Sequence, residues 1–180
     1  NETGVIMPLK SIAEISADEG ALFHTDAVQM AGKCPLDVHT AGIDLLSLSA
    51  HKIHGPKGVG ALYVRRGIEL PPLITGGHQE RGMRSGTYNV PGIVGLGKAA
   101  ELALTHLADT VVEERRLRES FEARVKESCP GAFIVADEAS ERLPGTVTVI
   151  FRGIESEAVL TLLDMQGIYA SSGSACSTGS

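Results

Sequence analysis

Two residues of opposite charge follow neighbouring predicted strands in the first third of the chain. Asp26 lies in the segment HTDAVQ and Lys52 in SLSAHKIHGPKGVG, each just past an apolar run. Open α/β sheets place ligand sites at the carboxyl ends of their strands. A lysine amine condenses with an aldehyde, and a carboxylate can keep a pyridinium nitrogen protonated. The pair therefore predicts a site for an aldehyde cofactor with a protonated ring.

Other polar residues stand close to this pair in the sequence. A lysine after a strand is usually a solvated surface residue, and an aspartate there often caps a helix. However, Ser49 and His51 flank Lys52 closely enough to donate hydrogen bonds to a phosphate, and Gln29 follows Asp26 by three residues. The joint occurrence of these residues at two strand ends favours a binding site over two unrelated surface charges.

A third reactive residue, Cys176, lies in the run SSGSACSTGS. The thiolate is the attacking form of cysteine, and a loop of small residues can carry it between a site and solvent. An inert surface thiol is the alternative. The three cysteines form no CxxC pair, which argues against a disulfide framework or a structural zinc site and favours a reducing compartment. Cys34 and Cys129 are predicted to pack or lie at the surface without function.

Two histidine motifs raise the question of a metal site. His51-x-x-His54 and His24-x-Asp26 each supply two possible ligands, but no third and fourth ligand converge with them in the sequence. The run GPKGVG lacks the GxxxxGK[ST] spacing of a phosphate-binding loop. These motifs are weaker predictions than the lysine and aspartate pair.

Helices and strands alternate around these residues. This alternation predicts an α/β domain with a largely parallel sheet, in which the third strand could return antiparallel, and a second, smaller α/β unit beyond Pro130. The predicted elements are a helix over 8–19, strands over 21–24, 44–49 and 59–64, one or two helices over 92–129, strands over 133–135 and 146–151, a helix over 156–166 and a strand over 168–170.

Composition limits the possible partners. The net charge is -6, with 43% hydrophobic and 21% charged residues, so the chain can bury a core and offers no basic face for nucleic acid. No window approaches the roughly 20 apolar residues of a membrane span. We therefore expect a soluble protein without nucleic-acid or membrane partners. Because the chain starts at Asn1 without a Met and stops in a Ser/Gly run, we also expect an internal fragment.

Four motifs carry a resemblance to a known family. HTDAVQ, SLSAHKIHGPKGVGALYVRR, ERGMRSGT and SSGSACS resemble, in kind and order, motifs of the cysteine desulfurases, which are class V, fold-type I pyridoxal phosphate enzymes. The resemblance covers nearly the whole chain. It implies that residues 1–91 form part of the large cofactor-binding domain with its mostly parallel sheet. Residues 92–129 would be the connecting helix or helices, and residues 130–180 part of the small α/β domain with the cysteine loop.

The resemblance also implies the roles of the site residues. Lys52 would be the Schiff-base lysine and Asp26 the partner of the pyridinium nitrogen. Cys176 would form a persulfide and make a transient iron–sulfur contact, in the longer loop typical of the housekeeping and nitrogen-fixation branch. The other implied cofactor contacts are Asn1 and Gln29 at the ring oxygen, Ser49 and His51 at the phosphate, and Thr87 at the phosphate of the neighbouring subunit in a homodimer.

The implied reaction converts L-cysteine and an acceptor into L-alanine and a persulfide. The sulfur would pass to an iron–sulfur scaffold or another acceptor protein, in the cytoplasm or in an organelle matrix. Family members carry a ring-stacking histidine before the position of Asn1 and a substrate-binding arginine near their C-terminus, so we expect this fragment alone to be inactive. The alternatives are a class V aminotransferase, a selenocysteine lyase, and an inactive truncated module for dimerisation or scaffold binding.

Overall fold

The computed structural model describes residues 1–139 and 141–173, so Cys176 lies outside the described residues. Contacts divide the chain into a first unit, Pro8–Ala108, and a second unit that joins Asn1–Met7 to the residues from Asp109 onward. The helices are α1 (Leu9–Asp18), α2 (Val90–Thr105), α3 (Leu107–Ser128) and α4 (Ser156–Met165), and the strands are β1 (His24–Asp26), β2 (Leu45–Ser49), β3 (Gly60–Val64), β4 (Ala132–Ile134) and β5 (Val149–Phe151).

The first unit contains a three-stranded sheet in the order β1-β2-β3. Strands β1 and β2 run parallel, with His24 opposite Leu45, whereas β2 and β3 run antiparallel, with Leu46 opposite Tyr63. The antiparallel return of the third strand, which the sequence left open, is confirmed. Within the described residues the sheet is therefore mixed rather than largely parallel.

One face of this sheet packs against α1. Leu46 is 2% exposed and clusters with Ala13 of α1 and with Phe23, which precedes β1, while Leu48 packs against the same cluster. Burying a side chain the size of leucine stabilises the fold by roughly 1.5–3 kcal/mol. Because side chains alternate along a strand, the serines of β2 must point to the opposite face. The core therefore dictates which face of the sheet is polar.

The first strand starts three residues later than predicted and ends two residues later. Strand β1 spans His24–Asp26, whereas the sequence favoured residues 21–24. The amide of Phe23 donates to the carboxylate of Asp44 over 2.9 Å, and Leu22 is 53% exposed. The Phe23 carbonyl accepts from the Leu45 amide over 3.1 Å, so regular pairing with β2 begins only at His24. A side-chain hydrogen bond between residues 21 apart has no local sequence signal.

The second unit contains α4 and the antiparallel pair of β4 and β5. The predicted helical region 92–129 consists of the two helices α2 and α3, and His106 between them caps the end of α2 by donating its amide to the Leu102 carbonyl over 3.0 Å.

The strand predicted over 168–170 is wrong, because these residues form no strand and Tyr169 is 89% exposed. Among the described residues, the search for a helix with the length and apolar character to cross a membrane found none.

Candidate active site

Strand register places Asp26 and the start of the turn that carries Lys52 at one edge of the sheet. Asp26, the last residue of β1, pairs with Ser47 of β2, and β2 ends two residues later at Ser49. A 3₁₀ turn, Ala50–Ile53, follows directly and carries Lys52; we call it the lysine turn. Because parallel strands end at the same edge, Asp26 and the turn that carries Lys52 both lie at that edge.

The face of the sheet away from α1 is polar. His24 and Asp26 alternate with Thr25 along β1, and Ser47 and Ser49 alternate with the core residues of β2. A hydrogen bond of 2.9 Å between His24 Nε2 and Ser47 Oγ confirms that these side chains share a face. This polar face ends at the lysine turn.

Asp26 is exposed at the end of this face. Its Oδ1 accepts a hydrogen bond from the Val28 amide over 2.9 Å, which fixes the carboxylate at the start of the following turn. The other oxygen makes no hydrogen bond to the described residues, so it can accept one from a ligand nitrogen. Gln29 lies in the same turn and is half-buried. Asp26 is thus held in place with one acceptor position open.

The lysine turn presents a free amine beside a paired hydroxyl and imidazole. Ser49 Oγ lies 2.7 Å from His51 Nδ1, so these two side chains form one polar group. Lys52 is half-buried and has neither a hydrogen bond nor an ion pair with any described residue. A lysine without an ionic partner keeps its amine available for condensation with an aldehyde.

Close packing against α2 holds the lysine turn. Gly55 donates its amide to the Ala50 carbonyl over 2.8 Å, and a Cβ on Gly55 would lie 2.9 Å from that carbonyl and 3.1 Å from Ala99 Cβ. A Cβ on Gly95 of α2 would lie 2.9 Å from Pro56 Cδ. Small residues on both sides therefore let the helix approach the backbone next to Lys52.

Three other predicted site residues do not belong to β1, β2 or the lysine turn. Thr87 is exposed in the loop between β3 and α2. Asn1 belongs to the second unit, and its side chain donates to Glu2 Oε1 over 2.9 Å. Cys176 lies outside the described residues. The roles of all three remain predictions.

A large open cavity lies at the opposite end of the sheet. It has a volume of about 800 Å³ and is lined by residues that follow β3 and by part of the next loop, among them Arg65, Arg66 and Arg81. Neither Lys52 nor Asp26 lines it. Among the described residues, no group of three or more His, Cys, Asp or Glu side chains could hold a metal ion.

Sequence reasoning missed the pairing of His24 with Ser47. The spacing of His24-x-Asp26 suggests a pair of metal ligands, but the same spacing also places both side chains on one face of a strand. Ser47 carried a usable signal too, because it lies two residues before Ser49 in a strand whose other residues are leucines. Assigning one face to the core would have assigned the other face to the site.

The residues of the first unit fit an aromatic aldehyde that carries a phosphate. Among the described residues, the amine of Lys52 has no competing partner and one oxygen of Asp26 accepts no hydrogen bond, while the Ser49–His51 pair adds polar groups for an anion. The three groups leave the same edge of the sheet.

Comparisons with known proteins identify the relatives of this chain. The curated relatives include a cysteine desulfurase of Gluconacetobacter diazotrophicus, 54% identical over all of this chain and 45% of the relative. They also include the cysteine desulfurase NifS of Azotobacter vinelandii, 50% identical over all of this chain and 44% of the relative. The chain therefore spans a little under half the length of these curated relatives.

Solved structures give the same picture of the fold. A NifS-like protein from Rickettsia africae matches with a TM-score of 0.92 and 34% identity, over 96% of this chain and 48% of that one. Another NifS-like protein matches with a TM-score of 0.89 and 41% identity, over 95% of this chain and 47% of that one. The predicted fold class is confirmed. The model of the family Aminotransferase class-V matches residues 1–180, and the chain belongs to that family.

Proposed function

We propose that the intact protein is a cysteine desulfurase that depends on pyridoxal phosphate. One observation carries the proposal. The Lys52 amine, which has no partner among the described residues, follows β2 at the same edge of the sheet where β1 ends with Asp26. Curated relatives that are named cysteine desulfurases and share 50–54% identity with the whole chain support the choice of reaction.

The residues of the first unit would hold the cofactor. When bound, pyridoxal phosphate withdraws electrons from the substrate carbon next to the amino group. Lys52 would hold the cofactor through its amine, and the open oxygen of Asp26 would accept a hydrogen bond from the ring nitrogen. The Ser49–His51 pair would bind the phosphate, and Gln29 would contact the ring oxygen.

Two further contacts would complete the cofactor site. Asn1 would contact the ring oxygen, and Thr87 would reach the phosphate held by the second copy of a homodimer. The support is that NETG and RSGT match the family's motifs and that Thr87 is exposed.

Lys52 and Cys176 would share the work of the reaction. Once the substrate amine has displaced it, the Lys52 amine is free to move a proton to and from the substrate carbons. The Cys176 thiolate would attack the sulfur of L-cysteine, so that a sulfur–sulfur bond forms and the carbon–sulfur bond breaks. With the proton delivered to carbon, L-cysteine and a protein thiol become L-alanine and a protein persulfide, and the atoms balance.

The persulfide would then leave the protein by transfer to another thiol. An iron–sulfur scaffold or another sulfur-acceptor protein would receive it, with a transient contact between Cys176 and an iron–sulfur cluster. Relatives from bacteria, such as Gluconacetobacter diazotrophicus and Azotobacter vinelandii, support a cytoplasmic location.

The test uses the intact protein with L-cysteine and scores alanine and persulfide together. Lys52→Ala should lose both products and the covalent cofactor label that borohydride reduction leaves on the wild type. Cys176→Ala should keep that label and lose alanine release, whereas the matched control Cys129→Ala should keep both. Normal alanine production by Cys176→Ala would overturn the assignment.

The same measurements separate the alternatives. A class V aminotransferase would release a keto acid and keep its activity in Cys176→Ala. A selenocysteine lyase would release alanine from selenocysteine only. An inactive module would show no borohydride label on Lys52.

A further inference from the structure

Hydrogen bonds close the loop between β3 and α2 on itself. We call residues 71–89 the Ser85 loop and its residues 71–80 the first arm. Ser85 is only 4% exposed and makes two hydrogen bonds to the first arm. The Ser85 amide donates to the Ile74 carbonyl over 3.0 Å, and the Ser85 hydroxyl donates to the Gly77 carbonyl over 2.6 Å. One bond comes from the backbone and one from the buried side chain, so both parts of Ser85 are held against the residues before it.

Two more bonds join the arms on either side of Thr87. The Gly86 amide donates to Gln79 Oε1 over 3.1 Å, and the Glu80 amide donates to the Tyr88 hydroxyl over 3.1 Å. Both neighbours of Thr87 in the sequence are therefore tied to the first arm of the Ser85 loop.

Thr87 itself is left out of this network. It is exposed and makes no hydrogen bond to any described residue. Gly86 before it has φ +117°, a conformation that residues with a side chain rarely adopt, so the glycine gives the backbone the turn it takes here. The loop thus fixes the backbone around Thr87 and leaves its hydroxyl for a partner outside the described residues.

We propose that Ser85 is a positioning residue that acts through Thr87, with support from Gln79 and Tyr88. The proposal rests on the proposed function, in which Thr87 binds the cofactor phosphate of a second copy. A hydroxyl bound to a phosphate needs close geometry, and a loop that is ordered before binding loses less entropy when it binds. Ser85 supplies that order without touching the cofactor.

The first experiment measures the affinity of the intact apoprotein for pyridoxal phosphate by absorbance titration. Thr87→Ala should weaken binding roughly tenfold to a hundredfold, the range for a hydrogen bond to a charged group. Ser85→Ala should weaken it roughly twofold to tenfold. In the double variant the loss should equal that of Thr87→Ala alone, because Ser85 acts only through Thr87. Additive losses would overturn the proposal.

Two variants keep the test independent of any folding defect in Ser85→Ala. Tyr88→Phe keeps the ring and removes only the acceptor of the Glu80 amide, so it should weaken binding in the same direction. Thr161→Val is the control, because the Thr161 hydroxyl also donates to a backbone carbonyl, that of Glu157 over 2.9 Å, but lies in α4. It should leave the affinity unchanged. If Tyr88→Phe bound the cofactor with wild-type affinity, the hydrogen bonds within the Ser85 loop would not position Thr87.

Hybrid dimers test whether the effect crosses to the second copy. A dimer of one Lys52→Ala protomer and one Ser85→Ala protomer has a single Lys52, which receives its loop from the protomer with intact Ser85. Borohydride labelling of that Lys52 should show wild-type affinity. Weakened binding in the hybrid would mean that Ser85 acts within its own protomer and would overturn the proposal.

The results also separate this inference from the proposed function. Wild-type affinity in Thr87→Ala would contradict the proposed contact between Thr87 and the phosphate, and with it the positioning role of Ser85. A loss in Thr87→Ala with none in Ser85→Ala would contradict the positioning role alone and leave the cysteine desulfurase proposal standing.

Discussion

A single carboxylate, that of Asp44, ties the start of β2 to both of its neighbours. Its Oδ2 accepts from the Phe23 amide over 2.9 Å just before β1, and its Oδ1 accepts from Arg65 Nε over 2.5 Å just after β3. The Phe23 amide, followed by the Arg65 guanidinium, holds the pKa of this carboxylate below its ordinary value of 3.8. The folded protein therefore favours the charged form of Asp44.

Asp44→Asn should lower the free energy of unfolding by about 1–3 kcal/mol at pH 7, the range for a lost hydrogen bond to a charged group. Because the pKa is lower in the folded state, the contribution of the charge is fully present above about pH 4 and is lost as the pH falls through the folded pKa. Urea titrations from pH 7 to pH 2 should show the difference from wild type shrinking below about pH 4.

The control for this prediction is Asp18→Asn. Asp18 ends α1 and is exposed, so its replacement should change stability by less than about 0.5 kcal/mol. A difference between Asp44→Asn and wild type that stays constant over the whole pH range would contradict a stabilising role for the charge.

At the residue scale, the sequence indicated which residues lie at strand ends better than it indicated which side chains bond to each other. Asp26 and Lys52 could be located because strand ends and polar residues are both local signals. The bond from His24 to Ser47 depends on the register of two strands, which local patterns do not specify. The same limit applies to Asp44, whose two partners lie 21 residues away on either side.

At the scale of elements, α2 supports the lysine turn through residues that have little or no side chain. Gly95 approaches the ring of Pro56, four residues after Lys52, and Ala99 approaches Gly55. Glycine inside a helix costs about 1 kcal/mol of helix propensity relative to alanine. The close approach of the turn explains why α2 contains a glycine at position 95 in spite of that cost.

Two glycines of α2 allow a matched test. A Cβ on Gly95 would meet Pro56 Cδ at 2.9 Å, whereas a Cβ on Gly97 would have no neighbour within 4 Å. Gly97→Ala should raise the free energy of unfolding by about 1 kcal/mol through helix propensity. Gly95→Ala should lower it, because displacing Pro56 costs about 1–3 kcal/mol.

Thermal melts and cofactor titrations of the intact protein measure both effects. Gly95→Ala should also weaken pyridoxal phosphate binding, since the displaced proline belongs to the segment that continues from Lys52, and Gly97→Ala should bind normally. Equal stabilisation by the two alanines would show that the helix and the turn do not press on each other.

Helices were easier to predict from the sequence than strands, for a physical reason. The helix Leu9–Asp18 and the helix Ser156–Met165 differ from their predicted bounds by at most one residue at each end, because both have local periodicity and a glycine just beyond. The strand predicted over 168–170 had apolar residues but no partner strand in the described residues. A strand needs a neighbour, and the neighbour is not a local property.

At the scale of the whole molecule, distant parts of the chain build the second unit. The Thr148 hydroxyl donates to the Glu2 carbonyl across 146 residues, and the Leu143 amide donates to the Gly4 carbonyl over 2.7 Å. The sequence predicted an α/β unit beyond residue 130 from its periodicity. It could not predict that residues 1–7 join this unit, since no local pattern encodes a contact of such long range.

A buried ion pair supports the contact between residues 1–7 and the rest of the second unit. Arg142 Nη2 lies 2.8 Å from Glu122 Oε1 of α3, with the two side chains only 5% and 10% exposed. Arg142 also donates to the Thr146 carbonyl over 3.2 Å and forms the bridge to Val5. The ion pair therefore connects α3 to the segment that holds residues 1–7.

Arg142→Leu should destabilise the second unit by about 3–5 kcal/mol, because it leaves the buried Glu122 carboxylate with only the longer contact of 3.9 Å to Arg118 Nε. Replacing both residues by leucine should recover most of the loss, since a well-packed apolar pair can substitute for a buried ion pair. Urea unfolding measures the stability. Hydrogen exchange of the Ile6 amide, which donates to the Glu141 carbonyl over 3.1 Å, reports whether residues 1–7 detach.

An exposed ion pair of the same helix supplies the control. Arg116 and Glu113 lie 2.7 Å apart with side chains 62% and 57% exposed, so Arg116→Leu should cost less than about 1 kcal/mol and leave the Ile6 amide protected. Arg142→Leu should instead speed exchange at Ile6. The Ile6 amide bonds to the Glu141 carbonyl, and the segment around Glu141 loses the ion pair that connects it to α3. If the two variants lost equal stability, burial would not be what gives the Glu122–Arg142 pair its weight, and residues 1–7 would depend on the backbone hydrogen bonds alone.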